Sequence, residues 1–200
     1  MASLRTPSRP AITQDDLPAW VGAQTYLHLD IGTGDGTYAL RLARSCPGMA
    51  VIGVDTCLDN LTKAARKPPE NLRFLAGDAF ELPACLHGRA SAISINFPYG
   101  SLLQAVGVGN ASSWARLLSV ARPDAQLDIR INASAGAQYG LTLEEMQRHV
   151  DRMLRLVAPT SATITILPQN ELRTFPSTWA KRLAYGRPSQ VIVATARLGV

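Results

Sequence analysis

Apolar runs of strand length alternate with segments of helical period along the whole of this chain, and that alternation constrains its fold more than any other feature. Parallel strands need crossover segments, and those segments lie as helices on the faces of the sheet. Strands are expected at residues 25–31, 50–55, 72–76, 90–97, 125–132, 162–167 and 190–197. Between the first two, Ala39, Leu42, Ala43 and Cys46 recur at helical spacing, with Arg41 and Arg44 facing away. Between the fifth and sixth, Leu143, Met146, Val150, Met153, Leu154 and Val157 do the same. The expected class is α/β, a seven-stranded sheet with helices on both faces.

Two hundred residues suffice for one domain, so residues 1–200 are read as a single unit with residues 1–24 as an N-terminal extension. Lys67-Pro68-Pro69, Gly107-Val108-Gly109 and Ala135-Gly136 are expected to be loops. The alternation Leu127-Asp128-Ile129-Arg130-Ile131-Asn132 predicts a strand with one wetter face. Twenty Lys and Arg against fifteen Asp and Glu give a net charge of +5, which permits a nucleic-acid partner without requiring one.

Cys46, Cys57 and Cys85 lack paired metal-ligand spacing, so no metal is expected and reduced, intracellular thiols are. No apolar stretch approaches the ~18 residues of a membrane span, and the first twenty residues lack the apolar run of a secretory signal. The expectation is a cytoplasmic protein without a membrane partner. His28, His87 and His149 form no constellation with Ser, Cys or Asp, so none is assigned to catalysis.

The first strand runs directly into Asp30-Ile31-Gly32-Thr33-Gly34-Asp35-Gly36 and then a helix. Its Gly-x-Gly-x-Gly spacing departs from the Gly-x-Gly-x-x-Gly of pyrophosphate sites. Asp30 and Asp35 would place negative charge where phosphates should lie. A cationic cofactor suits the loop, and S-adenosylmethionine (SAM) carries both an ammonium and a sulfonium. Asp55, ending the second strand, is placed to accept the ribose hydroxyls, and Asp78-Ala79, beyond the third, to bracket the adenine. These residues resemble those of the class I SAM-dependent methyltransferases, which implies a Rossmann-like, mostly parallel seven-stranded sheet whose last strand is antiparallel.

The fourth strand ends in Asn96-Phe97-Pro98-Tyr99-Gly100, poor strand material but a rigid ledge for a flat ligand. Asn96-Phe97-Pro98-Tyr99 is similar to the motif of adenine-N6 methyltransferases. Phe97 to Leu103, taken with the run from Phe175 to Arg187, resembles the aminoglycoside-resistance 16S rRNA adenine-N1 methyltransferases of the Kam/Npm family. The glycine-loop segment and the run from Arg73 to Pro83 fit that family too.

That resemblance implies docking on the 30S subunit, extrusion of an adenine from helix 44 of 16S rRNA, and methylation of its N1, leaving S-adenosylhomocysteine. Tyr99 and Trp179 match the family's base-stacking tryptophans and are the candidate catalytic residues. No general acid or base is assigned, because neutral adenine N1 attacks through a lone pair. Ser101 and Ser177 match small hydroxyl residues near SAM, and Asn96 joins Asp30, Gly32, Gly34, Asp55, Asp78 and Ala79 as cofactor-binding. Lys181, Arg182 and Arg187 are the candidate RNA-binding residues. The chain departs from the family in having Tyr for Trp at 99 and Phe80 where a Glu is usual. A monomer is expected. The alternatives are an enzyme for adenine N6 or a tRNA base, or a SAM- and RNA-binding homologue of weak or no activity.

Overall fold

The structure is a computed structural model that describes residues 11–63, 65–158, 161–186 and 189–199. Its strands are β1 (Leu27–Ile31), β2 (Ala50–Asp55), β3 (Leu72–Ala76), β4 (Ala90–Asn96), β5 (Ala121–Asn132), β6 (Thr163–Pro168) and β7 (Gln190–Arg197). They form one sheet in the order β3-β2-β1-β4-β5-β7-β6. Strands β1 to β5 pair in parallel, and β7 inserts antiparallel between β5 and β6. The seven strands fall where the apolar runs place them, with the antiparallel strand that the methyltransferase resemblance implies.

The helices are α1 (Leu17–Gly22), α2 (Thr37–Ser45), α3 (Gly100–Val108), α4 (Ala111–Leu118), α5 (Ala133–Gly136), α6 (Leu143–Val157) and α7 (Thr178–Ala184). Residues of α1, α3, α4 and α6 pack on one sheet face, over Leu29, Ile52, Ile93, Ile129 and Ile192. On the other face α2 packs Ala39, Leu40 and Ala43 over Val51 and Phe74, while α7 packs Ala180 and Ala184 over Val191. None of the described helices is long and apolar enough to cross a membrane.

Between α2 and α7 the second face is polar. Side chains alternate across a strand, so His28 and Asp30 of β1, Ser94 and Asn96 of β4, and Asp128 and Arg130 of β5 all point to that face. Register aligns them: Asp30 is opposite Ser94, Ser94 opposite Asp128, and Asn96 opposite Arg130. The wetter face predicted for residues 127–132 is this stripe, where β5 alternates between buried and half-buried positions.

Several expectations need correction. Cys46 does not belong to the buried face of α2: the helix ends at Ser45, and Cys46 leaves the helical conformation exposed. Leu40 is buried there instead, while Leu42 is half-buried. Gly107 and Val108 are helical rather than loop, with α3 ending at Gly109 in the left-handed region. Gly107 is buried in α3 where that helix meets Met146 of α6. Ala135 and Gly136 lie in α5, whose first turn is capped by Asn132 accepting from the Ser134 amide. Strand β4 stops one residue early because Phe97 takes a φ of 53°.

Candidate active site

Strands β1 and β4 are sheet neighbours, yet α2 after β1 packs on one face and α3 after β4 on the other. Such a reversal opens a crevice at the carboxyl ends of the strands. Here it is a cleft of about 510 Å³. Its floor is the glycine loop, one wall comes from the ends of β2 and β3, and the other comes from the 96–102 ledge and the start of α7.

The glycine loop is tied to β2. The amides of Gly32 and Thr33 both donate to the Val54 carbonyl at 2.9 Å. The Gly34 amide donates to Oδ2 of Asp55 at 2.8 Å, and the Cys57 amide to Oδ1 at 3.2 Å. Each carboxylate oxygen of Asp55 thus keeps lone-pair capacity for a further donor such as a ribose hydroxyl. Gly34 has a φ of +58° with nothing within 4 Å of where a Cβ would be, so the main chain is bare toward the cleft.

Asp30 is buried on the polar stripe. Its Oδ2 accepts from Thr33 Oγ1 at 2.8 Å, and its Oδ1 from Ser94 Oγ at 2.8 Å and Asn96 Nδ2 at 3.3 Å. Burial pushes its pKa up to about 6, although the three hydrogen bonds work against the rise. The one ion pair among the described residues, Arg155 with Asp151, involves neither this carboxylate nor the cleft. A buried, hydrogen-bonded carboxylate without a cationic partner, lining an open cleft, suits an ammonium group; that is the fit SAM requires.

Behind Asp30 the network continues. Ser94 gives its one hydroxyl proton to Asp30, so His28 donates from Nε2 to Ser94 Oγ at 2.9 Å. Burial lowers the His28 pKa to about 4, which keeps the ring neutral. On the other side, Arg130 Nη1 donates to Asn96 Oδ1 at 3.2 Å. The Asn96 amide is oriented from both ends, and its second Nδ2 hydrogen is uncommitted.

The ledge owes its shape to Phe97, whose left-handed backbone is uncommon and costly for a side-chain-bearing residue. The Phe97 amide is held by the Arg130 carbonyl at 2.7 Å. Pro98 is then buried and Tyr99 is 73% exposed, at the N-terminus of α3. Trp179 of α7, which also lines the cleft, is 54% exposed. Phe175 holds that helix in place: it stacks on Tyr38 of α2 with centroids 5.3 Å apart, meets Phe97 edge-on at 6.0 Å, and carries the Arg130 guanidinium 4.4 Å over its ring. Thr178 Oγ1 adds a hydrogen bond to Thr37 Oγ1 at 3.2 Å.

A match to a family described as NpmA, 16S rRNA (adenine(1408)-N(1))-methyltransferase, runs from residue 9 to residue 198 and so takes in every strand and the whole cleft. The chain belongs to the NpmA family. Within it, the chain is 28% identical over 194 residues to a 16S rRNA (adenine(1408)-N(1))-methyltransferase of Escherichia coli, covering 88% of this chain and 89% of that one. Its structure is similar to the crystal structure of a mutant of the 16S rRNA (adenine(1408)-N(1))-methyltransferase from Catenulisporales acidiphilia with cosubstrate SAM. That likeness has a TM-score of 0.73 at 28% identity and covers 95% of this chain and 93% of that one. A shorter likeness, 37% over 86 residues, is to a tRNA (guanine-N(7)-)-methyltransferase of Rubrobacter xylanophilus, and it covers 40% of this chain and 39% of that one.

Every residue that the sequence reading assigns to cofactor or base lines this one cleft: Asp30, Gly32, Gly34, Asp55, Asp78, Ala79, Asn96, Tyr99, Ser101, Ser177 and Trp179. Lys181 and Arg182 are exposed on α7, with the Arg182 guanidinium 5.5 Å over the Trp179 ring. Arg187 lies outside the described residues. Sequence reasoning missed Tyr38, Arg130 and Phe175, together with the His28–Ser94–Asp30 relay. The polar alternation of β5 was the available signal for Arg130 and Phe175 opens the run matched to the family without a role of its own, while nothing local marks Tyr38. Among the described residues no group of side chains is arranged to hold a metal.

Proposed function

We propose that this NpmA-family chain transfers the methyl group of SAM to N1 of a flipped adenine in helix 44 of 16S rRNA, within the 30S subunit. The observation that carries the reading is the pair of exposed aromatics, Tyr99 and Trp179, on the same cleft as Asp30 and Asp55. Two exposed aromatic rings on the rim of one cofactor pocket offer stacking faces that suit a flat base.

Asp30 would take the SAM ammonium, Asp55 the ribose hydroxyls, and Asp78, Ala79 and Phe80 the adenine ring. Asn96, Ser101 and Ser177 would fix the sulfonium end. When bound, SAM supplies a methyl on positively charged sulfur, and the lone pair of adenine N1 displaces S-adenosylhomocysteine from that methyl. The charge moves from sulfur to the methylated ring, so no side chain needs to remove a proton. The protein's contribution is placement of N1 in line with the methyl.

N1 is hidden in a base-paired helix, so the adenine must leave its stack at a cost of a few kcal/mol. Stacking on Tyr99 and Trp179 offsets that cost, and Lys181, Arg182 and Arg187 on or beyond α7 would hold the neighbouring phosphates. Tyr99 in place of the family's Trp retains a stacking face of smaller area.

The test is to incubate 30S subunits with the protein and SAM, then reverse-transcribe across helix 44. A methyl on N1 blocks pairing, so a SAM-dependent stop at adenine 1408, the family's named position, is the expected result. SAM binding with intact subunits and no stop would overturn the assignment.

A further inference from the structure

A second groove, of about 440 Å³, lies beside the cleft between α2 and the segment leading into α7. It is lined by Tyr38, Arg41, Leu42, Arg44, Phe175 and Pro176, among others. Tyr38 lines both cavities, with Phe175 stacked on its ring, so the groove and the cleft are separated by one aromatic partition. The groove wall continues through Pro176 into Ser177 and Trp179, which line the cleft.

Arg41 and Arg44 are one helical turn apart, which brings them to one side of α2. Both are exposed, and neither forms an ion pair or a side-chain hydrogen bond with the described residues. Their guanidiniums are therefore uncommitted donors on a groove that otherwise offers aromatic and aliphatic surface. Sequence periodicity reads them as an outward, solvated helix face; the tertiary structure sets Phe175 and Pro176 against that face.

We propose that this groove is a subsite for the sugar–phosphate backbone of the RNA strand, with Arg41 and Arg44 contacting phosphates next to the flipped nucleotide. The inference rests on the rRNA-methyltransferase reading above. Charge complementarity selects the occupant: two free guanidiniums form bidentate contacts with phosphate oxygens. Continuity with the cleft fixes the part of the RNA, because backbone flanking a base between Tyr99 and Trp179 has to leave over the rim of that cleft. Tyr38 and Phe175 would give the sugars an apolar wall.

The experiment compares the wild type with an Arg41→Gln/Arg44→Gln double variant for affinity to purified 30S subunits across a salt series, and for SAM affinity in the absence of RNA. The variant should keep its SAM affinity, bind 30S subunits on the order of tenfold more weakly at 0.1 M salt, and show a log K against log[salt] slope shallower by about 1.4 to 1.8. Arg41→Lys/Arg44→Lys should recover most of that slope, since the charge remains. Unchanged 30S affinity and slope would overturn the subsite while leaving the methyltransferase reading intact. Loss of SAM affinity in the Gln variant would overturn it in favour of a structural role for the pair. A wild type that neither binds nor methylates 30S subunits would instead overturn the reading on which the subsite depends.

Discussion

Arg130 Nη1 donates to Asn96 Oδ1 at 3.2 Å, and the same guanidinium lies 4.4 Å over the Phe175 ring. One side chain of β5 therefore orients an amide that lines the cleft and anchors the segment that carries Trp179. Arg130→Met should lower methyl transfer by about 5- to 30-fold, the loss expected for a part-buried hydrogen bond of 1–2 kcal/mol. Arg130→Lys keeps the charge without the planar fork and should fall between the two. Single-turnover methylation of 30S subunits measures both variants, and wild-type rates for Arg130→Met would refute the positioning role.

Trp179 and Tyr99 touch the cleft while leaving the Asp30 and Asp55 network alone. Trp179→Ala should keep SAM affinity within about twofold and reduce methyl transfer about 5- to 150-fold, the range of one lost base stack. Tyr99→Ala should behave alike, and Tyr99→Trp, which enlarges the stacking face, should equal or exceed the wild type. A fully active Trp179→Ala enzyme would remove the base clamp from the mechanism.

In the proposed site Asp55 and Asp30 make different demands on SAM binding. Asp55→Ala removes the acceptor of the Gly34 amide along with the proposed ribose partner, so SAM affinity should drop at least about tenfold at every pH, consistent with hydrogen bonds to a charged group. Through Asp30, whose pKa stands at about 6, wild-type SAM affinity should fall as the pH drops below 6, approaching a factor of about ten per unit. Calorimetric titration between pH 5 and pH 8 (roughly the span in which histidine ordinarily titrates) checks both. A flat profile would detach Asp30 from the ammonium.

His28 and Asp30 titrate against each other. Asp30 is raised from 3.8 to about 6, so the folded state holds its proton more tightly, and the stability this gives at low pH is lost as the pH rises through 6. His28 is lowered from 6.5 to about 4, so its contribution is present above 6.5 and lost as the pH falls toward 4. Across the shared window of about 4 to 6 the two nearly cancel. Asp30→Asn leaves His28 uncompensated, and the variant should lose up to about 3 kcal/mol more than the wild type between pH 6.5 and pH 4. Denaturant unfolding at the two ends of that window tests it; parallel pH dependences would show that the pair is not coupled in this way.

By itself the sequence determined whatever depends on near neighbours. Strand positions, the glycine loop and the acids at the ends of β1, β2 and β3 were legible because side-chain period and backbone freedom act over a few residues. The motif around Ser177-Thr178-Trp179 and the Asn96-Phe97-Pro98-Tyr99 ledge could be recognised, and each was placed at a strand end or on a helix. Errors arose where a neighbour distant in the chain sets the outcome. Gly107 reads as a loop signal, yet α3 continues through it to Val108, and it lies buried against Met146. Arg41 and Arg44 read as a plain solvated face until Phe175 and Pro176 close a groove beside them. Only the tertiary structure decided that Arg130 meets both Asn96 and Phe175, and that His28, Ser94 and Asp30 share one buried relay. The strand-to-strand contacts join residues 34 to 66 positions apart, and register across the sheet, which no local pattern encodes, is what brings them together, while Phe175 reaches Arg130 from the segment that precedes α7.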